Sequence, residues 1–250
     1  MGARVDLAGV SKRFDNGVAA LDEVSLSLAP GEFVSIVGPS GCGKSTLLRM
    51  VAGLIAPSGG SCRRPADIET AFVFQDAALL PWRTVADNAE LLMELEGYAA
   101  AERHTRARSA LELVGLAGFE RSYPHQLSGG MRMRLSLARA LALQPDLLLL
   151  DEPLAAVDEL TRDVLQEELL QLWKQAGFTA VLVTHSVHEA VFLSDRIVVM
   201  SPRPGRILDI IDVPFDFPRD SALRAQPAFA ELTGRVSTAL RAHAAPLATP

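Results

Sequence analysis

The stretch Gly38-Pro39-Ser40-Gly41-Cys42-Gly43-Lys44-Ser45-Thr46 fits the spacing G-x-x-x-x-G-K-[ST] at every fixed position. Its chemistry is anion capture. The glycines let backbone N–H groups converge on phosphate oxygens, and the helix start that follows adds about half a positive charge. In this spacing Lys44 reaches the β- and γ-phosphates and the Ser45 hydroxyl ligates Mg²⁺. Thr46 is expected to cap the helix and touch the α-phosphate. The pattern predicts binding of a nucleoside triphosphate.

Hydrolysis of that triphosphate needs a metal, an oriented water and groups facing the developing charge. Asp151 and Glu152 follow four leucines, Leu147 to Leu150, which read as a central strand. Asp151 suits the Mg²⁺; Glu152, one residue further, points elsewhere and can polarise the attacking water. Gln75, after the apolar residues 71–74, can bridge metal and water as a neutral donor and acceptor. His185, after residues 180–184, can donate to a γ-phosphate oxygen. A lone Gln or His at a strand end is more often a polar terminus or a surface residue, so spacing alone leaves both roles open. Phe14 is either a core aromatic or a stacking surface for a nucleobase, and the pattern alone favours the core. His104, His125, His188 and His243 show no metal-ligand spacing and read as surface histidines.

These residues need strand ends to carry them, because ligands of parallel α/β sheets sit beyond the carboxyl ends of the strands. Residues 33–37 form a short β-branched strand before the glycine loop, and residues 46–54 show helical spacing with Gly53 near the end. Residues 3–30 alternate apolar and polar, as antiparallel strands do, with a turn at Asp15-Asn16-Gly17. Residues 57–65 read as a loop. From 76 to about 126 the texture becomes helical, with Thr84 as a cap, helices over 86–95 and 103–113, and breaks at Gly97, Gly115 and Gly118. A further helix runs to about 143 with Arg132, Arg134 and Arg139 on its polar side, and Pro145 stops it. A helix over 159–175 ends at Gly177, a short one covers 187–193, and strands cover 197–200 and 206–211. The tail after Pro214 is expected to hold one helix and ragged ends over 244–250.

The 250 residues allow one large domain or a core with a subdomain, and 49% hydrophobic residues supply a sizeable core. With 24 Lys plus Arg against 30 Asp plus Glu, the net charge of −6 argues against a general nucleic-acid binder. Cys42, inside the phosphate loop, and the isolated Cys62 read as free thiols. No secretory leader is visible near the N-terminus, Asp6 spoils a myristoylation signal at Gly2, and no apolar run approaches a membrane span. Any role at a membrane must come through a partner.

Together with Leu127-Ser128-Gly129-Gly130-Met131 ahead of the Asp151-Glu152 strand, these motifs resemble the ATP-binding subunit of ABC transporters over roughly residues 4–210. The resemblance implies an α/β fold: a P-loop NTPase core with a mostly parallel sheet flanked by helices, an N-terminal antiparallel β portion and an inserted α-helical subdomain. It divides the chain into a core (1–75 and 131–213), a helical subdomain with the signature (76–130) and a tail (214–250). It implies ATP and Mg²⁺, with Ser45, Gln75 and Asp151 on the metal. It also implies a head-to-tail homodimer, or a paired ATP-binding subunit, in which Ser128, Gly129 and Gly130 meet the γ-phosphate held by the second subunit. Phe14 then stacks on adenine, and Asp158 matches the aspartate of the family's D-loop at the dimer seam. Membrane permease subunits, indirectly a periplasmic solute-binding protein, and a peripheral place on the cytoplasmic face complete the expectation. Met131 replaces the usual signature Gln, Ala155-Ala156-Val157-Asp158 stands where Ser-Ala-Leu-Asp is commoner, and Ser186 follows His185 where Asp is frequent.

The runs Leu79-Leu80-Pro81-Trp82-Arg83-Thr84-Val85, residues 189–196 and Ser201-Pro202-Arg203-Pro204-Gly205-Arg206-Ile207 are similar to the nitrate/sulfonate/taurine importer group. Members like these also import pyrimidine vitamin precursors or riboflavin. The alternatives are a soluble ABC ATPase acting on nucleic acid or ribosomes, an exporter subunit, and a P-loop kinase outside the family. The last leaves Ser128-Gly129-Gly130 without a purpose.

Overall fold

The computed structural model describes residues 2–155 and 157–242. Its elements run β1 (Val5–Arg13), β2 (Ala19–Leu28), β3 (Phe33–Val37), α1 (Lys44–Val51), β4 (Gly59–Arg63), β5 (Thr70–Val73), α2 (Val85–Leu95), α3 (Ala100–Leu113) and α4 (Gly129–Ala142). They continue with β6 (Leu147–Asp151), α5 (Glu159–Ala176), β7 (Thr179–Val183), α6 (Val187–Leu193), β8 (Arg196–Met200), β9 (Ile207–Asp212), α7 (Ser221–Arg224) and α8 (Pro227–Ala242). The chain divides into two compact units, Met1–Asp67 with Gly177–Pro250, and Ile68–Ala176.

In the first unit, period-two alternation turns Val5 and Leu7 of β1 and Val24, Leu26 and Leu28 of β2 inward, and a register shift after Leu7 brings Val10 to the same buried side. The two strands pair antiparallel, Val5 opposite Leu28 and Leu7 opposite Leu26. Their turn closes where Gly17 N donates to Phe14 O at 2.9 Å. Residues 57–65 are not the expected loop. They contain β4, which pairs antiparallel with β1 and completes a sheet in the order β2-β1-β4. Every β4 side chain is exposed or half-exposed, so backbone pairing holds this strand and no hydrophobic alternation announces it.

The same unit holds β7, β3 and β8 side by side and parallel, with β9 antiparallel on β8. Every residue of β3 and β7 is buried, as a strand covered on both faces requires. The polar Ser35 within β3 is tolerated because Ser194 Oγ donates to its hydroxyl. The helix α1 ends on Gly53, whose φ of 75° only glycine adopts without strain. Leu54 N bonds Arg49 O and Gly53 N bonds Met50 O, both at 2.9 Å.

Among the described residues the tail holds two helices, α7 and α8, rather than one. In α8, Phe229, Leu232, Thr233 and Val236 are buried at i, i+3, i+4 and i+7. Ahead of α7, Arg219 is buried and donates to Phe192 O and Ser194 O at 2.9 Å and to Phe215 O at 2.7 Å. Burial pushes its pKa down to about 10. The Arg224 guanidinium lies 3.7 Å from the Phe192 ring centroid, so tail and α6 are joined twice. His243 and residues 244–250 lie outside the described residues, as does Ala156.

In the second unit β5 and β6 pair parallel, Thr70 opposite Leu147 through Val73 opposite Leu150. All five residues of β6 are buried. The helix α2 opens with a reciprocal cap: Thr84 Oγ1 accepts from Asp87 N at 3.2 Å and Asp87 Oδ2 accepts from Thr84 N at 3.3 Å. The fully buried Asn88 closes the preceding loop, donating to Leu80 O, Arg83 O and Thr84 O and accepting from Leu80 N. Arg132 and Arg134 keep partial exposure, but Arg139 is not on a polar side. It is buried and donates to Ala77 O at 2.9 Å and Ala78 O at 3.0 Å.

Candidate functional site

The phosphate loop belongs to the first unit and joins β3 to α1. Helix α1 begins at Lys44, so Thr46 is not its cap. The capping position is Gly43, at φ 112°, with no side-chain cap bond and no acidic residue in the first turn. A β-carbon on Gly43 would lie 2.6 Å from Ala20 O, so only glycine lets β2 come this close. The helix end therefore offers its field to an outside anion rather than to a side chain. Lys44, 6% exposed, folds across the loop and donates from Nζ to Gly38 O at 2.8 Å and Pro39 O at 3.1 Å. These carbonyls hold the ammonium over the cradle. Pro39, Ser40 and Gly41 are exposed, Gly38, Gly43, Ser45 and Thr46 half-exposed, and Cys42 is buried as a free thiol.

His185 leaves the sheet at the same end as the phosphate loop. Ile36 of β3 stands opposite Val183 of β7 in a parallel pair, so both chains exit together. The imidazole is exposed, and its turn is fixed from below. Thr184 Oγ1 donates to Glu189 Oε2 at 2.6 Å and accepts from Ser186 N at 3.0 Å, while Ser186 Oγ accepts from Glu189 N at 3.2 Å. Phe14, in the β1–β2 turn, is 39% exposed and not core, contrary to the pattern-based expectation. Lys12 Nζ lies 5.5 Å from its ring centroid, and the opposite strand runs on to Ala20 beside Gly43.

The second unit carries the other candidates. The parallel register of β5 and β6 sends Gln75 and the pair Asp151-Glu152 out of one end. Asp151 is 2% exposed, while Glu152 is half-buried at φ 51°, a left-handed conformation that costs a non-glycine residue about 1 kcal/mol or more.

Ser128 caps α4, its hydroxyl accepting from Met131 N at 3.2 Å. Gly129 and Gly130 lie inside the helix, so their value is not a left-handed turn. They leave the helix end without side chains. Gln75, Asp76, Ala77, Gly129, Arg132 and Met133 line one cleft of about 400 Å³. Asp158 accepts from Thr161 N at 3.0 Å and so caps α5. That backbone bond is the chief reason its carboxyl sits below the ordinary carboxylate range.

Sequence reasoning missed Thr184 and Glu189, whose pairing shapes the His185 turn, and Arg139, which ties the segment after Gln75 to α4. A Thr ahead of His185 with a Glu four residues after it was the available signal. Among the described residues no group of three or more His, Cys, Asp or Glu side chains is placed to hold a metal, and no helix is long and apolar enough to cross a membrane.

The family model described as ABC transporter matches residues 21–155. An ABC transporter ATP-binding protein of Methanocaldococcus jannaschii is 44% identical over 229 residues, covering 88% of this chain and 86% of that protein. The taurine import ATP-binding protein TauB of Yersinia pestis is 45% identical over 205 residues, 80% of each chain, and that of a Jannaschia species is 43% identical over 240 residues, 90% of each. Among solved structures, a dimeric ATP-binding cassette in a post-hydrolysis state, bound to ADP and Pi, superposes with a TM-score of 0.77. It is 32% identical and covers 85% of this chain and all of its own.

Proposed function

This chain belongs to the ABC transporter family as an ATP-hydrolysing, ATP-binding subunit, and from that premise we propose that it powers a membrane importer for taurine or a related small solute such as a sulfonate or nitrate. The observation that carries the reading is the presence on one chain of two helix starts suited to a phosphate: α1 behind the phosphate loop, which has no side-chain cap, and α4, whose first two residues after the Ser128 cap are glycines. Each suits the same terminal phosphate from a different side, which a head-to-tail pair of subunits satisfies.

In that pair, Lys44 and the N–H groups of residues 38–46 hold the phosphates, and Phe14 stacks on adenine. Ser128, Gly129 and Gly130 approach the γ-phosphate of the second subunit's ATP, with Asp158 at the seam. Mg²⁺ supplies charge neutralisation when bound. Ser45, Gln75 and Asp151 would hold it through oxygen atoms, the hard donors that this ion prefers. Glu152 takes a proton from the attacking water, and His185 donates to a γ-phosphate oxygen. The functional division is a core of 1–75 and 131–213, a helical subdomain of 76–130 that meets a permease, and the 214–250 tail. The subunit lies peripherally on the cytoplasmic face, beneath permeases fed by a periplasmic solute-binding protein. The taurine import relatives support the cargo class.

Glu152→Gln, saturated with Mg-ATP, tests the pairing on a sizing column, with and without the permease. The expected result is a doubled mass, with hydrolysis slowed by a factor on the order of 10²–10⁴. A variant that stays monomeric in both settings would end the transport-motor reading. Reconstitution in vesicles, with taurine and nitrate compared as stimulants of ATP turnover, tests the cargo.

A further inference from the structure

Ser201-Pro202-Arg203-Pro204-Gly205-Arg206, the turn between β8 and β9, has no place in the chemistry assigned above, yet it is built against the phosphate loop. Arg203 Nε donates to Gly41 O at 3.0 Å. Gly205 is buried, and a β-carbon added there would lie 2.3 Å from Cys42 O, so turn and loop meet backbone to backbone. The turn is fastened on its far side as well: Gly205 N donates to Ala20 O at 2.9 Å, and Gly205 O accepts from Asp22 N at 3.0 Å. Ser201 Oγ closes it, accepting from Arg206 N at 2.9 Å and donating to Pro204 O at 3.1 Å. Arg206 is engaged elsewhere, with Asp22. Arg203 is the cation of this turn that reaches the phosphate loop.

The contact falls on a functional peptide. Gly41 O and Cys42 N belong to one planar unit, so a cation bonded to the carbonyl polarises the N–H at the other end and fixes the plane in which it points. Cys42 N now donates to Pro39 O at 3.3 Å, longer than an ordinary amide bond and readily exchanged for a phosphate oxygen. We propose that Arg203 is a positioning residue for nucleotide binding, latching the Gly41–Cys42 peptide from behind. The guanidinium is exposed, so solvent screens its direct pull on the phosphates and the effect runs mainly through the peptide. The inference rests on reading residues 38–46 as the ATP site.

Steady-state ATP hydrolysis by the full chain tests it. Arg203→Ala is expected to raise the KM for ATP about 5-fold while kcat stays within about twofold, the loss of one exposed charge-assisted bond acting before chemistry. Arg203→Lys, whose ammonium can reach the same carbonyl, restores the KM. Arg206→Ala, which removes an equal charge from the same turn, leaves the KM at the wild-type value. Because Arg203 is exposed, melting temperature should not separate the three. An Arg203→Ala KM within about twofold of wild type overturns the proposal, and so does an equal rise in Arg206→Ala. Persistence of ATP binding in Lys44→Ala would instead overturn the ATP-site reading beneath it.

Discussion

Thr184 Oγ1 donates to the buried Glu189 carboxylate at 2.6 Å, and this bond closes the turn that presents His185. A buried carboxylate needs its donors, since losing one costs the desolvation of the charge as well as the bond. Thr184→Val is nearly isosteric and removes the donor, so it should lower stability by about 1–3 kcal/mol. If His185 acts on the transition state rather than on binding, as proposed, the same change should also lower kcat about 10-fold with little change in the KM for ATP. Thr184→Ser should recover most of kcat. Kinetics and melts on the two variants decide the matter, and wild-type turnover in Thr184→Val would remove the positioning role.

Phe14 presents an exposed ring on a turn closed by its own backbone bonds. Removing it vacates little core, so Phe14→Ala should change stability by less than about 1 kcal/mol. If the ring stacks on adenine, the same change raises the KM for ATP about 10-fold, the scale of one base–aromatic contact. Phe14→Trp keeps a flat face and should bind ATP as well as wild type. Fluorescence titration with a nucleotide analogue measures both. Equal affinity for Phe14→Ala and wild type would return this residue to the bare surface.

What the letters disclosed was local. The phosphate loop, the buried leucine strand ending in Asp151 and the Thr84 cap are each set by neighbours within a few residues, so pattern and spacing found them. Strand β4 stayed hidden because its stability lies in pairing with β1, some fifty residues earlier, and not in its own side chains. Arg139 read as polar surface because its carbonyl partners, Ala77 and Ala78, are about sixty positions away. Arg203 and Gly41 are separated by 162 positions, beyond any periodicity. Phe14 misled for a related reason: a ring next to a turn looks like core until the fold shows which face it takes.

Asp158 caps α5 as an anion, and its backbone bond from Thr161 holds its pKa below the ordinary 3.8. With the folded value depressed, the charged cap stabilises fully above pH 3.8, and that contribution fades as pH falls through the lower folded value. Asp158→Ala should therefore melt earlier than wild type at pH 7, with the gap narrowing once the pH drops below 3.8. Asp158→Asn keeps an acceptor and should sit between the two at neutral pH. Melting curves at pH 7, 5, 4 and 3.5 test this; a gap that widens in acid would show that the carboxylate is not the stabilising form.

Arg219 reaches from the tail into the base of α6 and donates to three carbonyls, two of them, Phe192 O and Ser194 O, in buried bonds. These two belong to the end of the helix whose first turn is capped by Ser186, the residue after His185. Arg219→Ala strips those acceptors of their donor and leaves a hole against Phe217, whose ring lies 4.1 Å from the guanidinium carbon. A loss of about 3 kcal/mol is expected, at the upper end for single substitutions. Because α6 is short and held at both ends, loosening its base should also reach His185, lowering kcat several-fold while the phosphate loop keeps its KM for ATP. Arg219→Lys retains the charge but offers fewer directed donors and should recover only part of the stability. Denaturant melts and steady-state kinetics on the same preparations separate the effects, and a destabilised Arg219→Ala with unchanged kcat would confine the tail to holding the fold.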